Sequence, residues 1–197
     1  MFSSQNSNID LILTIYQDVR TVFKLSDIAL LTGETNFQSL NKKLNYHVRT
    51  GKLQNPRKGI YAKPNYNWEE LACTLYTPSY ISLEYVLQKA GIIFQYDSAI
   101  SVISYLSRNI EVENQTVKYR KIKNELLVNT TGIRRLDDQV NIATSERAFL
   151  DLLYLNTRYN FDNLNPLNKK LIYNFLPIYQ SDSITKRVAK LFENDRS

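Results

Sequence analysis

The residues whose types and spacing best suit chemistry are the basic side chains of residues 35–68, and the chemistry they favour is binding of phosphate groups. This stretch has seven Lys or Arg residues and no Asp or Glu, whereas the net charge of the whole 197-residue chain is +6. The positive charge is therefore concentrated in one part of the chain, as is typical of proteins that contact a nucleic-acid backbone. The seven residues are Lys42, Lys43, Arg49, Lys52, Arg57, Lys58 and Lys63.

A helix is predicted to carry the first of these residues. Its apolar positions recur at steps of three and four, at Phe37, Leu40, Leu44 and Val48. They therefore share one helix face, which leaves the polar residues on the other face. Thr35 and Gln38 have the spacing of a capping box, so the helix is expected to begin there. Gly51 stands where a helix commonly ends in a left-handed residue.

The elements before this helix have the order of a helix-turn-helix. Residues 26–33 are predicted to form a helix with Ser26 as its N-cap and Gly33 in the turn that follows. An earlier helix is predicted over residues 9–19, and residues 22–25 favour a short strand that pairs with the downstream hairpin. Two helices joined by a short glycine turn are typical of DNA-binding helix-turn-helix domains.

A basic hairpin follows the helix that carries Lys42 and Lys43, which we call the predicted reading helix because it would read DNA bases. Residues 53–62 favour two short strands, and Pro56 and Gly59 are expected to bracket the turn between them. This hairpin would be the wing of a winged helix-turn-helix over residues 1–64. A lysine-rich helix face is also commonly just solvated, and the hairpin is compatible with an ordinary surface turn. The order of the elements, the lack of acids and the basic turn together favour binding of double-stranded DNA.

The predicted DNA contacts divide into two groups. Contacts to base edges in the major groove are assigned to Gln38, Ser39, Lys42, Lys43 and Tyr46. Contacts outside the major groove are assigned to four cations: Arg49 and Lys52 to phosphates, which position a protein without reading sequence, and Arg57 and Lys58 to phosphates or to the minor groove. The only histidine, His47, lies beside the apolar face and is expected to pack rather than to read bases.

Residues 67–197 predict a second domain that mixes helices and strands, so the chain as a whole is expected to be α+β. Helices are predicted after Asn67 and over residues 82–90, 145–155, 167–175 and 184–192. Strands are predicted over residues 100–106, 110–112, 117–122, 126–128 and 140–143. The pair Asn114-Gln115 favours a hairpin turn between two of these strands.

Composition bounds the remaining possibilities. The chain is 43% hydrophobic and 22% charged, which is ordinary for a soluble globular protein. It has no apolar run long enough to span a membrane, and its first residues lack the features of a secretory signal, so a cytoplasmic location is expected. The single cysteine, Cys73, excludes an internal disulfide and a thiolate metal cluster. No metal or other cofactor is expected.

A second basic cluster, residues 118–123, is open to two interpretations. On a strand, Lys118 and Arg120 would share one face and present a cationic strip to an acidic partner or a nucleic acid. An exposed edge strand, on which lysines discourage aggregation, explains the same pattern and is favoured. The candidates for partner binding are Lys118, Arg120, Lys121, Lys123, Arg134 and Arg135, with Lys186, Arg187 and Lys190 on the same argument.

No catalytic residues are assigned, and an enzyme is not expected. A nuclease-like domain would need an acid on a strand followed by a Glu/Gln-x-Lys pair to hold Mg²⁺, and no such pair follows the acids near the predicted strands. One histidine and no Gly-rich loop also leave no basis for a His-based triad or a nucleotide cradle. Arg147 and Asp151 have helical pairing distance, and Glu146 suits a helix start, so a structural role explains all three.

Several short motifs appear in a fixed order along nearly the whole chain. They are KL and GIYA within residues 52–62, ELA at 70–72, PSYISLE at 78–84 with GI at 91–92, and ATSERAFLD at 143–151. In this order they resemble the AbiEi-type antitoxins, the antitoxin half of abortive-infection E (type IV) toxin–antitoxin systems. The last motif, at 143–151, contributes most to this resemblance.

This resemblance implies functions that composition does not indicate. It implies an N-terminal winged helix that binds repeats in the promoter of its own operon and represses it. It also implies a C-terminal domain that counteracts a nucleotidyltransferase-like toxin, typically without a tight complex, in phage defence or in maintenance of mobile elements. The alternative is a plain winged-helix regulator with no toxin, whose second domain senses a ligand or forms a dimer.

Overall fold

The computed structural model describes residues 10–136 and 139–194 of the chain. The chain divides into two compact units, one ending at Leu75 and the other beginning at Tyr76. Both units contain helices and strands, so the expectation of an α+β protein is confirmed. Within the described ranges, no helix is long and apolar enough to cross a membrane.

The first unit contains a three-stranded antiparallel sheet with the order β1-β3-β2. Its elements are α1 (Leu11–Gln17), β1 (Val22–Lys24), α2 (Leu25–Thr32), α3 (Phe37–Arg49), β2 (Gln54–Arg57), β3 (Ile60–Ala62) and α4 (Trp68–Leu75). The strand predicted at 22–25 does pair with the hairpin, with Val22 opposite Ala62. The predicted first helix residue, Ile9, lies outside the described residues.

The N-cap of helix α3 lies one residue after the predicted one. It is Asn36, whose side-chain oxygen accepts the backbone N–H of Ser39 at 3.0 Å. The capping box assigned to Thr35 and Gln38 is therefore wrong, because the adjacent asparagine satisfies the same end of the helix. The predicted end is confirmed, since Gly51 follows the last turn with a left-handed φ of 72°.

Helix α2 also begins away from its predicted cap. Ser26 lies inside the helix, which starts at Leu25. The backbone N–H of Lys24 donates to the Asp27 carboxylate at 2.9 Å, so an acid inside the first turn stabilises this end instead of the serine hydroxyl. The predicted glycine turn is present, with Gly33 in the left-handed region.

A cluster of buried residues holds α3 against the rest of the first unit. The cluster consists of Ile15, Phe23, Ile28, Ala29, Leu40, Leu44, Leu53 and Tyr61. Leu40 and Leu44 are the contribution of α3, and burial of each stabilises the fold by about 1.5–3 kcal/mol. These two residues fix which face of α3 points inward. Phe37, predicted on the same face, is 50% exposed, because it occupies the first position of the helix, ahead of the cluster.

Helix α4 belongs to the first unit, although the sequence pattern assigns residues from 67 onward to the second domain. The reason is the buried carboxylate of Glu70. It accepts the backbone N–H and the hydroxyl of Thr21 at 2.8 and 2.6 Å, and the backbone N–H of Val22 at 3.1 Å. These bonds satisfy the backbone N–H groups at the start of β1, so α4 packs with the sheet of the first unit.

The second unit is built on a six-stranded mixed sheet with the order β6-β7-β5-β4-β9-β8. Its strands are β4 (Ser79–Ile81), β5 (Ile100–Ser104), β6 (Arg108–Val112), β7 (Gln115–Lys121), β8 (Ile133–Arg135) and β9 (Asn141–Ala143). Its helices are α5 (Leu83–Lys89), α6 (Asn124–Val128), α7 (Ser145–Leu155), α8 (Lys169–Phe175) and α9 (Asp182–Asn194), with a 3-10 turn at Leu176–Tyr179. The parallel pairs are β5 with β7 and β4 with β9.

Two sequence expectations for this sheet are wrong. Residues 126–128 form part of α6 and not a strand, with the backbone N–H groups of Leu126 and Leu127 donating to the Lys123 carbonyl. A run of three apolar residues does not distinguish a strand from a helical turn. Strand β7 is also not an edge strand, because β6 and β5 pair with its two sides. Its lysines therefore do not protect an open edge.

Helix α7 carries a buried network of polar side chains. The Arg147 guanidinium contacts the Asp151 carboxylate at 3.1 Å, and both side chains are fully buried. The predicted pairing of these residues is therefore confirmed. The hydroxyls of Tyr80, Ser82 and Tyr179 donate to the same carboxylate at 3.1, 2.9 and 2.7 Å. Burial raises the pKa of both tyrosines, so their hydroxyls remain protonated donors.

The same guanidinium also holds the segment around α6. Its Nη2 donates to the Leu126 carbonyl at 2.8 Å, and its Nη1 donates to the Thr131 carbonyl at 2.9 Å. The Glu146 carboxylate accepts the backbone N–H of Asn168 at 3.1 Å, which connects α7 to the segment before α8. Charged residues of the ATSERAFLD motif thus join elements that are far apart in the sequence.

Candidate nucleic-acid interface

The outer face of α3 is a continuous polar surface. Gln38, Lys42, Asn45 and Arg49 follow helical spacing along it, and all four are exposed. The buried Leu40 and Leu44 side chains anchor the opposite face. The outer face is therefore presented by a helix whose orientation is fixed by the core, which is a geometry suited to reading a groove in DNA.

The residues assigned to base contact have different surroundings. Gln38 and Lys42 are exposed on the outer face, as predicted. Tyr46 is 54% exposed and makes an edge contact with the His47 ring. Ser39 is half-buried and its backbone N–H is used in the helix cap, so it lies at the margin of this face. His47 is half-buried, and burial lowers its pKa, as a neutral packing residue requires.

Lys43 has a partner that the sequence pattern did not predict. Its ammonium contacts the Glu34 carboxylate at 3.1 Å, while 57% of the lysine side chain stays exposed. The same carboxylate accepts the backbone N–H of Asn36 at 3.1 Å. These two contacts, the backbone N–H first, lower the pKa of Glu34. Part of the positive charge of α3 is therefore balanced by an acid in the α2–α3 turn.

The β2–β3 hairpin presents two cations beside α3. Its turn is tighter than predicted, because Pro56 lies within β2 and the connection consists of Lys58 and Gly59. The left-handed φ of Gly59, 80°, is a conformation that glycine adopts without strain. Asn55 Nδ2 donates to the carbonyl oxygens of Arg57 and Ile60, which braces the turn. The side chains of Arg57 and Lys58 are exposed, as their assigned role requires.

Direct hydrogen bonds fix the hairpin relative to α3. The Tyr61 hydroxyl of β3 donates to Asn41 Oδ1 at 2.5 Å. The Tyr16 hydroxyl donates to the backbone carbonyl of Lys52, in the segment between α3 and β2. The side chains of Lys52 and Arg49 remain exposed at this end of the helix. The helix and the hairpin are therefore held against each other.

Lys63 is a basic residue that the structure removes from this surface. Its ammonium donates to the Asp18 carbonyl at 2.5 Å and to the Tyr16 carbonyl at 3.4 Å. It therefore stabilises the end of α1. Two exposed amide residues on α3, Asn41 and Asn45, were not among the predicted contacts. Helical periodicity alone would have grouped Asn45 with Lys42 and Arg49, and an asparagine amide can pair with two atoms of adenine.

The basic candidates of the second unit do not form one surface. Lys118 and Arg120 share a face of β7 and line a cavity of about 450 Å³, together with the acids Glu84 and Asp97. Lys118 is paired with Asp97 at 2.5 Å, and this contact lowers the pKa of the carboxyl group. Lys121 and Lys123 are exposed and are not among the residues that line this cavity. Arg134 and Arg135 lie on β8, with three strands between β8 and β7.

Comparison with known proteins does not place this surface in a family. No protein-family model matches the chain, and no curated protein matches it. What the described residues present is a helix hydrogen-bonded to a hairpin, with exposed cations on both and exposed amides on the helix.

Proposed function

We propose that the first unit is a winged helix-turn-helix that binds double-stranded DNA. In this proposal α3 enters the major groove and the β2–β3 hairpin is the wing. The observation that carries it is the outer face of α3, where Lys42, Asn45 and Arg49 are exposed on a helix that is bonded to a basic hairpin. Cations position such a helix on phosphates, and amides read base edges.

We further propose that the chain is the antitoxin of a type IV, AbiE-like toxin–antitoxin system. It represses its own operon by binding promoter repeats, and its second unit counteracts a nucleotidyltransferase-like toxin without a tight complex. Two of the motifs that carry the resemblance, residues 78–84 and 143–151, meet in the fold, where Tyr80 and Ser82 donate to Asp151. This contact supports the view that the motifs specify one arrangement and are not separate coincidences of sequence.

The test combines DNA binding with rescue of growth. The full chain is titrated with a DNA fragment from the region upstream of its own gene at several salt concentrations, and it is co-expressed with the product of the adjacent gene. The winged helix is supported if the logarithm of the binding constant falls linearly with the logarithm of the salt concentration, with a slope of about 0.9 per phosphate contacted. Restored growth supports the antitoxin role. Restored growth without any DNA binding would reject the proposed reading helix.

A plain transcription regulator is the second candidate. The cavity of about 450 Å³ in the second unit favours it, because a regulator needs a place for its effector. DNA binding without rescue of growth by any neighbouring gene product would support this candidate over the antitoxin.

A further inference from the structure

A small pocket in the second unit has three cations and no carboxylate among the described residues that line it. It has a volume of about 270 Å³, and its lining comes from α7, the segment that follows α7, and α9. Arg158, Arg187 and Lys190 line it, with Tyr159 and Asn160 beside them. Within residues 10–136 and 139–194, none of these three cations forms an ion pair. We call it the basic pocket.

Hydrogen bonds within the protein hold the Arg187 side chain of the basic pocket. The Arg187 guanidinium donates through Nε to the Ser183 carbonyl at 3.1 Å and through Nη1 to the Leu153 carbonyl at 2.6 Å. The Leu153 carbonyl, which would repel an anion, is therefore already bonded. Lys190 follows Arg187 by three residues on α9 and lies on the same side of that helix. The backbone N–H of Arg158 donates to Asn156 Oδ1 at 3.1 Å, which stabilises the loop.

The neighbouring cavity provides an internal contrast. Tyr159 lines both the basic pocket and the larger cavity of about 450 Å³. In the larger cavity, two cations face two acids, and Lys118 is paired with Asp97 at 2.5 Å. Its lining charges are balanced, whereas the described residues that line the basic pocket include three cations and no acid. The two spaces that share Tyr159 therefore differ in the charges of their linings.

We propose that the basic pocket binds the phosphate group of a phosphomonoester. Such a group carries up to two negative charges and several acceptor oxygens, which match N–H donors from two arginines and a lysine. The pocket is large enough for the phosphate and a small part of the molecule that carries it. Free phosphate and a nucleotide share this chemistry, and in a nucleotide the base would lie against the Tyr159 ring. This site is separate from the proposed DNA surface and does not depend on DNA binding.

The experiment is calorimetric titration of the full chain with inorganic phosphate, adenosine 5′-monophosphate and adenosine. We expect phosphate and the nucleotide to bind and adenosine not to bind. In Arg158→Ala/Lys190→Ala, both affinities should fall by about tenfold or more. The matched control is Lys89→Ala/Lys170→Ala, which removes two exposed cations from α5 and α8 outside the pocket. The control should bind as the unmodified chain does, and circular dichroism verifies that both variants are folded.

The outcomes separate the sources of the ligand. Tighter binding of the nucleotide than of phosphate would support the proposal with a role for Tyr159, and equal binding would support it with free phosphate as the ligand. The proposal would be overturned if neither phosphate nor the nucleotide bound at millimolar concentration. It would also be overturned if the control variant lost as much affinity as the pocket variant, or if adenosine bound as tightly as the nucleotide. Lys190→Ala alone, at an exposed position, replaces the double variant if the latter does not fold.

Discussion

Helix α3 of the first unit and helix α7 of the second use charged side chains in opposite ways. On α3, Lys42 and Arg49 are exposed and form no ion pair among the described residues. On α7, Arg147 and Asp151 are fully buried and paired with each other. A charged residue type therefore does not reveal its role until its partners are known. The charges of Lys42 and Arg49 are available to a ligand, whereas those of Arg147 and Asp151 stabilise the fold.

The two arrangements also have different energetic consequences. An exposed cation is solvated by water, so leaving it without a partner costs little, and its removal changes stability by less than about 0.5 kcal/mol. A buried guanidinium without its carboxylate is destabilising by about 3–5 kcal/mol. Substitutions on α3 should therefore change binding, and substitutions in the α7 network should change folding.

The largest effect is expected from Asp151→Ala. This variant leaves the Arg147 guanidinium buried without its carboxylate and removes the acceptor of three hydroxyl groups. The free energy of unfolding should fall by about 3–5 kcal/mol. The measurement is urea unfolding of the full chain, monitored by far-UV circular dichroism. It gives the shift in the urea midpoint of the transition in which the second unit unfolds.

The control for this prediction is Glu193→Ala, which removes an exposed carboxylate from α9. Its unfolding midpoint should stay close to that of the unmodified chain. If the two variants unfolded at the same urea concentration, the network on α7 would contribute little to stability, and the contrast between the two helices would disappear.

Much of the first unit could be predicted from the sequence because its signals are local. The three- and four-residue spacing of Leu40 and Leu44 fixes the inward face of α3, and Gly33 and Gly51 mark helix ends through their conformational freedom. The choice of cap between Thr35 and Asn36 could not be predicted. Both are good caps, and they are adjacent, so only the bond made by the Ser39 backbone decides between them.

Features that depend on distant partners could not be predicted. Strands β4 and β8 have three residues each and exist because β5 and β9 pair with them, so their own sequences contain little signal. In the candidate site, the pairing of Lys43 with Glu34 depends on the path of the α2–α3 turn. Asn45 is different, since helical periodicity was sufficient to place it on the outer face of α3.

The second prediction tests the exposed side of the comparison. Lys42→Ala/Arg49→Ala should weaken binding of the promoter fragment by roughly a hundredfold at about 0.1 M salt, because each cation contributes about tenfold there. The salt slope should also fall by about 0.9 for each phosphate that the variant no longer neutralises. Fluorescence anisotropy at several salt concentrations measures both quantities, and the unfolding midpoint should not move.

The matched control is Lys89→Ala/Lys170→Ala, which makes the same change in net charge in the second unit. It should bind the promoter fragment nearly as well as the unmodified chain. In co-expression, Lys42→Ala/Arg49→Ala should still protect cells from the proposed toxin while the promoter is no longer repressed. If the variant lost both protection and repression, the result would argue against two separate activities.

The third prediction separates reading of bases from attraction to phosphate. Asn45→Ala should reduce affinity for the promoter fragment by about 1–3 kcal/mol, because the variant lacks the amide that pairs with a base edge. Affinity for DNA of scrambled sequence and the salt slope should remain unchanged, since no charge is removed. Competition between the two DNA fragments measures the change in discrimination. Equal weakening on both fragments would place Asn45 at the backbone and not at a base.

The smallest effect is expected from Glu34→Gln, and its direction is opposite. Lys43 is the residue of α3 whose arrangement most resembles that of α7, because a carboxylate in the protein already balances it. The variant keeps an oxygen that can accept the Asn36 N–H but releases the ammonium, so DNA affinity should rise by a factor of up to about ten and the salt slope should steepen by about 0.9. Glu111→Gln, an exposed acid on β6, is the control for net charge. Adding Lys43→Ala to Glu34→Gln should abolish the gain; a gain that persisted in the double variant would mean that Glu34 acts by general repulsion of DNA and not by occupying Lys43.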